Sequence, residues 1–329
     1  MATTRPMVAT RTSAVLPVLQ QQGALLALMI VLGFGLLRYG ENFRSGFNVW
    51  ELLRNNTYYG LIALGMTFVI MSGGIDLSVS AVAALSSVAA ARLSEHGVWV
   101  GVAGAVGIGL LVGLINGGVI ARFKVQPFIV TLATLVACRG AALNLSDNAN
   151  VSVEFASGYI DVGQRNIGRV PLPVIIVVVA YILGSIVLNL TRFGRHVLAI
   201  GGNEEAARLA GLPVARTTVA VYTLSGACAG LAGAVLAALA YTGSPNFAFG
   251  WELTAIAAVV VGGTLLSGGK GSVGTTLVGV VLLGLIFNEL NFEQGKGTFV
   301  LPQYWEEIIR GAFLLIVVLL QARLAQRVR

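Results

Sequence analysis

The chain has 329 residues, of which 56% are hydrophobic and only 11% charged, under half the charged share of an average soluble domain. That balance excludes an ordinary soluble enzyme or binding module. The net charge of +7 would suggest nucleic acid in a soluble protein, but here the basic residues sort by loop, which membrane orientation explains more simply.

Uncharged windows of spanning length occur at Thr12–Leu37, Asn55–Ile75, Gly97–Ala121, Val170–Thr191 and Thr217–Trp251, and a soluble core has no need of them. The expected fold is an all-α polytopic membrane protein. The apolar stretch after Arg11 runs on without a small-residue cleavage site, so it reads as a retained first span rather than a signal peptide. In chain order the expectation is a cytoplasmic N-terminal tail at 1–16 and a transmembrane domain over 17–322. About ten spans are drawn within it, at 17–37, 52–71, 78–92, 98–121, 126–143, 170–190, 217–241, 251–266, 272–290 and 305–322. A basic cytoplasmic tail follows at 323–329. With the N-terminus inside, twelve basic residues fall on the cytoplasmic side and seven outside, which supports that orientation and an even number of spans.

The third and eighth spans are short and abut glycine clusters, Gly73 and Gly74 in one case, Gly262, Gly263, Gly268, Gly269 and Gly271 in the other. Broken backbone at membrane depth is tolerated only where it faces protein or a cavity. Both clusters share G-G-x-x-L-S, at Gly73–Ser78 and Gly262–Ser267, as related halves would, or as chance would. The stretch from Asp147 to Arg169 is the longest non-apolar one and is expected outside as a structured loop. Glycine, 42 residues in all, clusters in spans four, seven and nine, where it lets helix backbones approach closely.

Residues 192–216 form a charged island between two apolar blocks, so they must leave the hydrocarbon, and their arginines favour the cytoplasm. Asn203 is placed to cap a helix opening with Glu204 and Glu205, and Gly211 with Pro213 can stop it after about two turns. An ordinary capped surface helix accounts for this much.

No phosphate loop, no H-E-x-x-H and no metal cluster occurs, and the two histidines, His96 and His196, are expected on opposite sides of the membrane. Cys138 and Cys228 lie in apolar segments and read as packing residues. Polar residues at membrane depth are the candidates for a translocation pathway: Asp76, Asn116, Gln126, Phe128, Arg139, Trp251, Glu252 and Asn288. Each has a plainer alternative. Asp76 can cap the third span through the amides of Ser78 and Val79. Asn116 and Asn288 can bridge helices. Arg139 can pair with an acid or snorkel, Gln126 and Phe128 can set the entry angle of span five, and Trp251 with Glu252 can belong to an interfacial belt.

Taken together, GMTFVIMSGGIDLSVS at 65–80, QPFIVTLAT at 126–134, RFGRHVLAIGGNEEAARLAGL at 192–212 and VVVGGTLLSGGKGSVGT at 259–275 resemble the permease subunits of bacterial sugar ABC importers of the ribose and galactofuranose branch. Similarity is strongest to a galactofuranose importer permease. Glu205, Ala206, Ala207 and Gly211 spell E-A-A-x-x-x-G, which resembles the loop by which such permeases dock on their ATPase. The resemblance implies a coupling helix between spans six and seven, formed by Asn203, Glu204, Glu205, Ala206, Ala207 and Gly211. It further implies a separate ABC ATPase carrying ATP and Mg, a second homologous permease (as heterodimer or homodimer), a periplasmic sugar-binding protein, and a place in the inner membrane with both termini cytoplasmic. No cofactor on this chain, no catalytic residue and no nucleic acid are expected. The rival reading is a secondary transporter or facilitator for a small polar solute, which would have no reason to keep the capped E-A-A-x-x-x-G helix.

Overall fold

The computed structural model describes residues 12–295 and, beyond them, Trp305, Ile308, Gly311, Ala312 and Leu315. The expected tenth span at 305–322, apart from those residues, and the terminal tails at 1–11 and 323–329 lie outside the described part.

In chain order the helices and short strands are α1 (Thr12–Arg44), α2 (Gly46–Asn55), α3 (Thr57–Met71), α4 (Val79–Leu93), α5 (Val98–Phe123), α6 (Pro127–Leu145), β1 (Val151–Ser152), α7 (Asp161–Gln164), β2 (Asn166–Ile167), β3 (Val170–Pro171), α8 (Leu172–Leu190), α9 (Arg192–Gly202), α10 (Glu204–Leu209), α11 (Val214–Leu239), β4 (Thr242–Gly243), α12 (Trp251–Val261) and α13 (Val273–Gly295). Among the described residues six helical segments are long and apolar enough to cross a membrane: Gly23–Arg44, α5, α6, α8, α11 and Val273–Gln294. The protein is therefore polytopic and helical. Every expected span that falls on described residues contains a helix, but 52–71 is divided at Asn56 into α2 and α3, and 251–266 stops early, at Val261.

The shorter helices are short because they are inside. From Gly60 to Met71 every residue of α3 is buried, as is α4 from Val79 to Ala91. Around α3 lie α8, α11, α12 and α13, and around α4 lie α5, α6, α11 and α12. A helix walled by protein need not match the thickness of the hydrocarbon, so its ends can break where polar groups find partners. Long α5 and α6 instead carry large apolar residues outward, including Leu111, Leu114, Ile115 and Val136.

Glycines draw α5 and α11 together. Gly101, Ala105, Gly109, Gly113 and Gly117 recur every fourth residue, which lines them up on one face of α5. An added Cβ at Gly109 would collide with the Gly226 carbonyl, and one at Gly113 with the Tyr222 carbonyl. On α13, Gly279 meets Ala258 of α12 in the same way. Close backbone approach of this kind substitutes for the hydrophobic drive that lipid removes.

One end of the bundle is closed by the loop between α6 and α8. β1 pairs antiparallel with β4, Val151 opposite Gly243, and β2 with β3. Tyr159 is buried beneath this loop and donates to the Ala234 carbonyl at 2.9 Å, and its burial pushes the phenol well above its usual pKa. Arg92 reaches Asp147 at 2.8 Å, and Arg54 reaches Asn166 at 3.1 Å, at the same end. Cys138 and Cys228 are buried and free.

Candidate functional site

The opposite end gathers the segment 192–212, the breaks after α3 and α12, and the turn between α5 and α6. The segment folds as two helices where one was expected. Thr191 starts α9 by accepting from the Gly194 amide at 3.2 Å, and Gly194, Val197 and Ile200 form its buried stripe. The three- to four-residue spacing of Phe193, Val197 and Ile200 behind a threonine was the available signal. Asn203 starts α10 by accepting from the Ala206 amide at 2.9 Å. The helix ends as the glycine suggested: Gly211, at φ 79°, donates to the Arg208 carbonyl at 3.0 Å and Leu212 to the Ala207 carbonyl at 3.0 Å, a Schellman closure. Glu204 pairs with Arg208 across one turn. Only Ala207 of α10 is buried; Glu204, Glu205, Ala206 and Gly211 are exposed, and Leu209 is 84% exposed. The helix thus offers an apolar tip with acids beside it.

Behind α10 the end of α9 sits directly on the two helix breaks. A Cβ on Gly201 would overlap the Met71 carbonyl at the end of α3 and lie 2.6 Å from the Gly269 nitrogen. Gly269 donates to that same Met71 carbonyl at 3.0 Å, and a Cβ on Gly268 would come within 2.9 Å of the Gly73 nitrogen. Three segments far apart in sequence therefore touch backbone to backbone. The two G-G-x-x-L-S stretches both close helices, but one residue out of step. Gly73 (φ 86°) donates to Ile70 and Gly74 to Val69; Gly263 (φ 91°) donates to Val260 and Thr264 to Val259. The left-handed residue is the first glycine of one pair and the second of the other, so in the closures Asp76 corresponds to Leu266, not Leu265.

Beyond the first break lies a buried polar chain. Asp76 Oδ1 accepts from the Ser78 amide at 3.0 Å and the Ser78 hydroxyl at 2.6 Å, and Oδ2 accepts from Ser225 of α11 at 2.9 Å. Asn116 Nδ2 donates to Ser78 Oγ at 3.0 Å, and Thr134 Oγ1 to Asn116 Oδ1 at 2.6 Å. Asp76 therefore holds Ser78 as its plainer reading anticipated, though Val79 takes no part, and Asn116 joins it. Thr134 and Ser225, which complete the chain, carried no signal in the sequence, because hydroxyl residues are common in buried helices, and Ser78 was legible through its amide but not its hydroxyl.

The same end contains a cavity of about 660 Å³ bordered by Gly74, Gln126, Ile200, Glu204, Arg208 and Tyr222. Among the described residues the buried Tyr222 hydroxyl has no hydrogen-bond partner. Gln126 thus faces a cavity, while Phe128 is 52% exposed on the outside of α6. The remaining candidates lie elsewhere. Among the described residues Arg139 pairs with no acid: it donates to the carbonyls of Pro245 at 2.5 Å and Phe247 at 2.8 Å and stands 4.5 Å over the Phe249 ring, fixing the loop between α11 and α12 rather than snorkelling. Trp251 stacks on Tyr58 with centroids 4.6 Å apart. Glu252 Oε2 is buried and, among the described residues, without a hydrogen-bond partner. Asn288 exchanges hydrogen bonds with Asn48 of α2 at 2.9 and 3.3 Å. The candidates thus divide into a network, a cavity edge and an outer cluster, with no single lumen lined by all of them.

The exposed capped helix α10 is thus joined through α9 to the breaks after α3 and α12. Residues 48–318 match the family described as branched-chain amino acid transport system / permease component. The chain belongs to this permease family. It is 40% identical over 310 residues to the ribose import permease protein of Bacillus subtilis (strain 168), covering 93% of this chain and 94% of that one. It is 35% identical over 306 residues to the ribose import permease protein of Escherichia coli (strain K12), covering 92% and 93%. With the L-arabinose transport system permease protein of that strain it shares 37% over 301 residues, covering 91% and 89%. No solved structure matches.

Proposed function

We propose that this permease is the membrane-spanning subunit of an ATP-driven importer of a monosaccharide, worked from outside the chain through the segment 192–216. The observation that carries the reading is the backbone contact of Gly201 with Met71 and Gly269. A force on the exposed tip of α10 reaches both helix breaks without passing through a deformable side chain. A separate ABC ATPase, holding ATP and Mg, is the proposed source of that force, with Asn203, Glu204, Glu205, Ala206, Ala207 and Gly211 forming the docking helix. Its closure would tilt α3, α4 and α12 between outward and inward access.

The family description speaks of amino acids, but the relatives that match almost end to end are permeases of ribose and arabinose. That supports a sugar. Galactofuranose is the finer reading, carried by the resemblance of the four stretches together, with ribose and arabinose as the controls. A second homologous permease, in a heterodimer or homodimer, and a periplasmic sugar-binding protein complete the proposed assembly in the inner membrane, both termini cytoplasmic. Asp76, Asn116 and Gln126 are the pathway residues this reading favours, since they flank the first break. Arg139, Trp251, Glu252 and Asn288 would shape the outer entrance.

The test is Leu209→Glu, at an exposed site on a helix that keeps both caps. Co-purification of the ATPase should fall at least tenfold, and ATP-dependent sugar uptake with it, while expression and oligomeric state hold. Undiminished uptake by this variant, or uptake driven by an ion gradient without a second protein, would instead identify a secondary transporter.

A further inference from the structure

A groove of about 910 Å³ runs between α5 and α11 on the outside of the bundle. Its floor is made of small residues, among them Gly118, Ala220 and Ala227, and Leu110 stands at its far end. The mouth carries Arg122, Lys124 and Arg216, all exposed. No acidic residue lines the groove, and none of the three cations forms a salt bridge within the described residues.

We propose that this groove binds an anionic phospholipid, one acyl chain lying along the small-residue floor and the phosphate held by Arg122, Lys124 and Arg216. Length argues for it. From Leu110 to Arg122 the helix rises about 18 Å at ~1.5 Å per residue, close to the ~15 Å depth of one leaflet of hydrocarbon. The apolar floor therefore ends where lipid chains end, and the cations stand at headgroup level. Charge argues for it too. Basic pockets between spanning helices suit anionic headgroups, and each cation near the surface contributes severalfold to affinity. A water-soluble partner cannot follow the floor into the hydrocarbon. A second copy of the chain seated there would have to cover three unpaired cations with no acid from this groove to meet them, which is costly. Lys124 borders the inner cavity as well as the groove, so an occupied groove would brace the α5–α6 turn beside Gln126.

Native mass spectrometry of the full-length chain, purified with its accompanying subunits, tests the proposal directly. The preparation is exchanged into nanodiscs of phosphatidylglycerol and phosphatidylcholine in equal amounts and then released. The expected result is one phosphatidylglycerol retained per chain in preference to phosphatidylcholine. Each of Arg122→Gln, Lys124→Gln and Arg216→Gln should reduce that preference roughly fivefold. Ala220→Trp, which fills the floor and leaves the cations intact, should abolish retention of either lipid. Equal retention of the two lipids would overturn the proposal, as would a preference indifferent to both kinds of variant. Disulfide cross-linking of Ala220→Cys to a second permease would overturn it too, by showing the groove to be a protein interface. Since all four positions are exposed, loss of fold is separately visible by gel filtration of the variants.

Discussion

At the scale of residues, the Asp76 carboxylate organises the first helix break. Three donors converge on it, and all of them are buried or nearly so. Removing it leaves the Ser78 amide and the Ser225 hydroxyl facing no acceptor, at a cost of about 1–3 kcal/mol. Asp76→Ala should therefore lower thermal stability in detergent clearly. Ser225→Ala, which removes a single donor, should cost only about 1 kcal/mol; equal losses in the two variants would deny Asp76 its central place. Gly201 and Gly202 make a sharper pair. A Cβ on Gly201 overlaps backbone on α3, whereas one on Gly202 meets nothing within 4 Å. Gly201→Ala should separate α9 from Met71 and reduce uptake severely, while Gly202→Ala should leave uptake near normal. Comparable uptake by both variants would sink the backbone contact as the coupling route.

At the scale of elements, the pair α5 and α11 is held by absence of side chains. Gly109→Ala must push apart two helices whose backbones already touch, and overpacking of that kind costs about 1–3 kcal/mol. Two residues earlier, Gly107 has open space around it, so Gly107→Ala should be neutral or stabilise by up to about 1 kcal/mol through its helix propensity. Chemical unfolding followed by tryptophan fluorescence would show the contrast, and a destabilised Gly107→Ala with an unaffected Gly109→Ala would contradict it. The small helices obey the complementary rule. Because α3 and α4 are walled by protein, their lengths are set by polar partners at their ends rather than by the membrane.

At the scale of the whole molecule, the breaks at 72–78 and 262–272, the turn at 124–126 and the segment 192–212 share one end, and the loop 147–169 shares the other with Arg92 and Arg54. That division follows the sorting of basic residues, and the proposed orientation turns the α9–α10 end to the cytoplasm. With Cys138 and Cys228 buried, single cysteines in place of the exposed Glu205 and Arg169 report sidedness cleanly. In intact cells with a permeable outer membrane, an impermeant maleimide should label the variant at 169 and spare the one at 205. The reverse pattern would place the docking helix in the periplasm and remove its partner.

Composition, the uncharged windows and the caps at Asn203 and Gly211 were legible in the chain because each is local: burial of backbone in lipid demands helices, and a cap is a relation between residues a few positions apart. The family, too, was readable from four short stretches. What no local rule could supply is the meeting of Gly201 with Met71 and Gly269, the sharing of Asp76 with Ser225, or the turning of Arg139 toward the carbonyls of Pro245 and Phe247. Those contacts join segments tens to well over a hundred positions apart. The pattern of one segment says nothing about which other segment packing will bring against it, so only the folded bundle decides them.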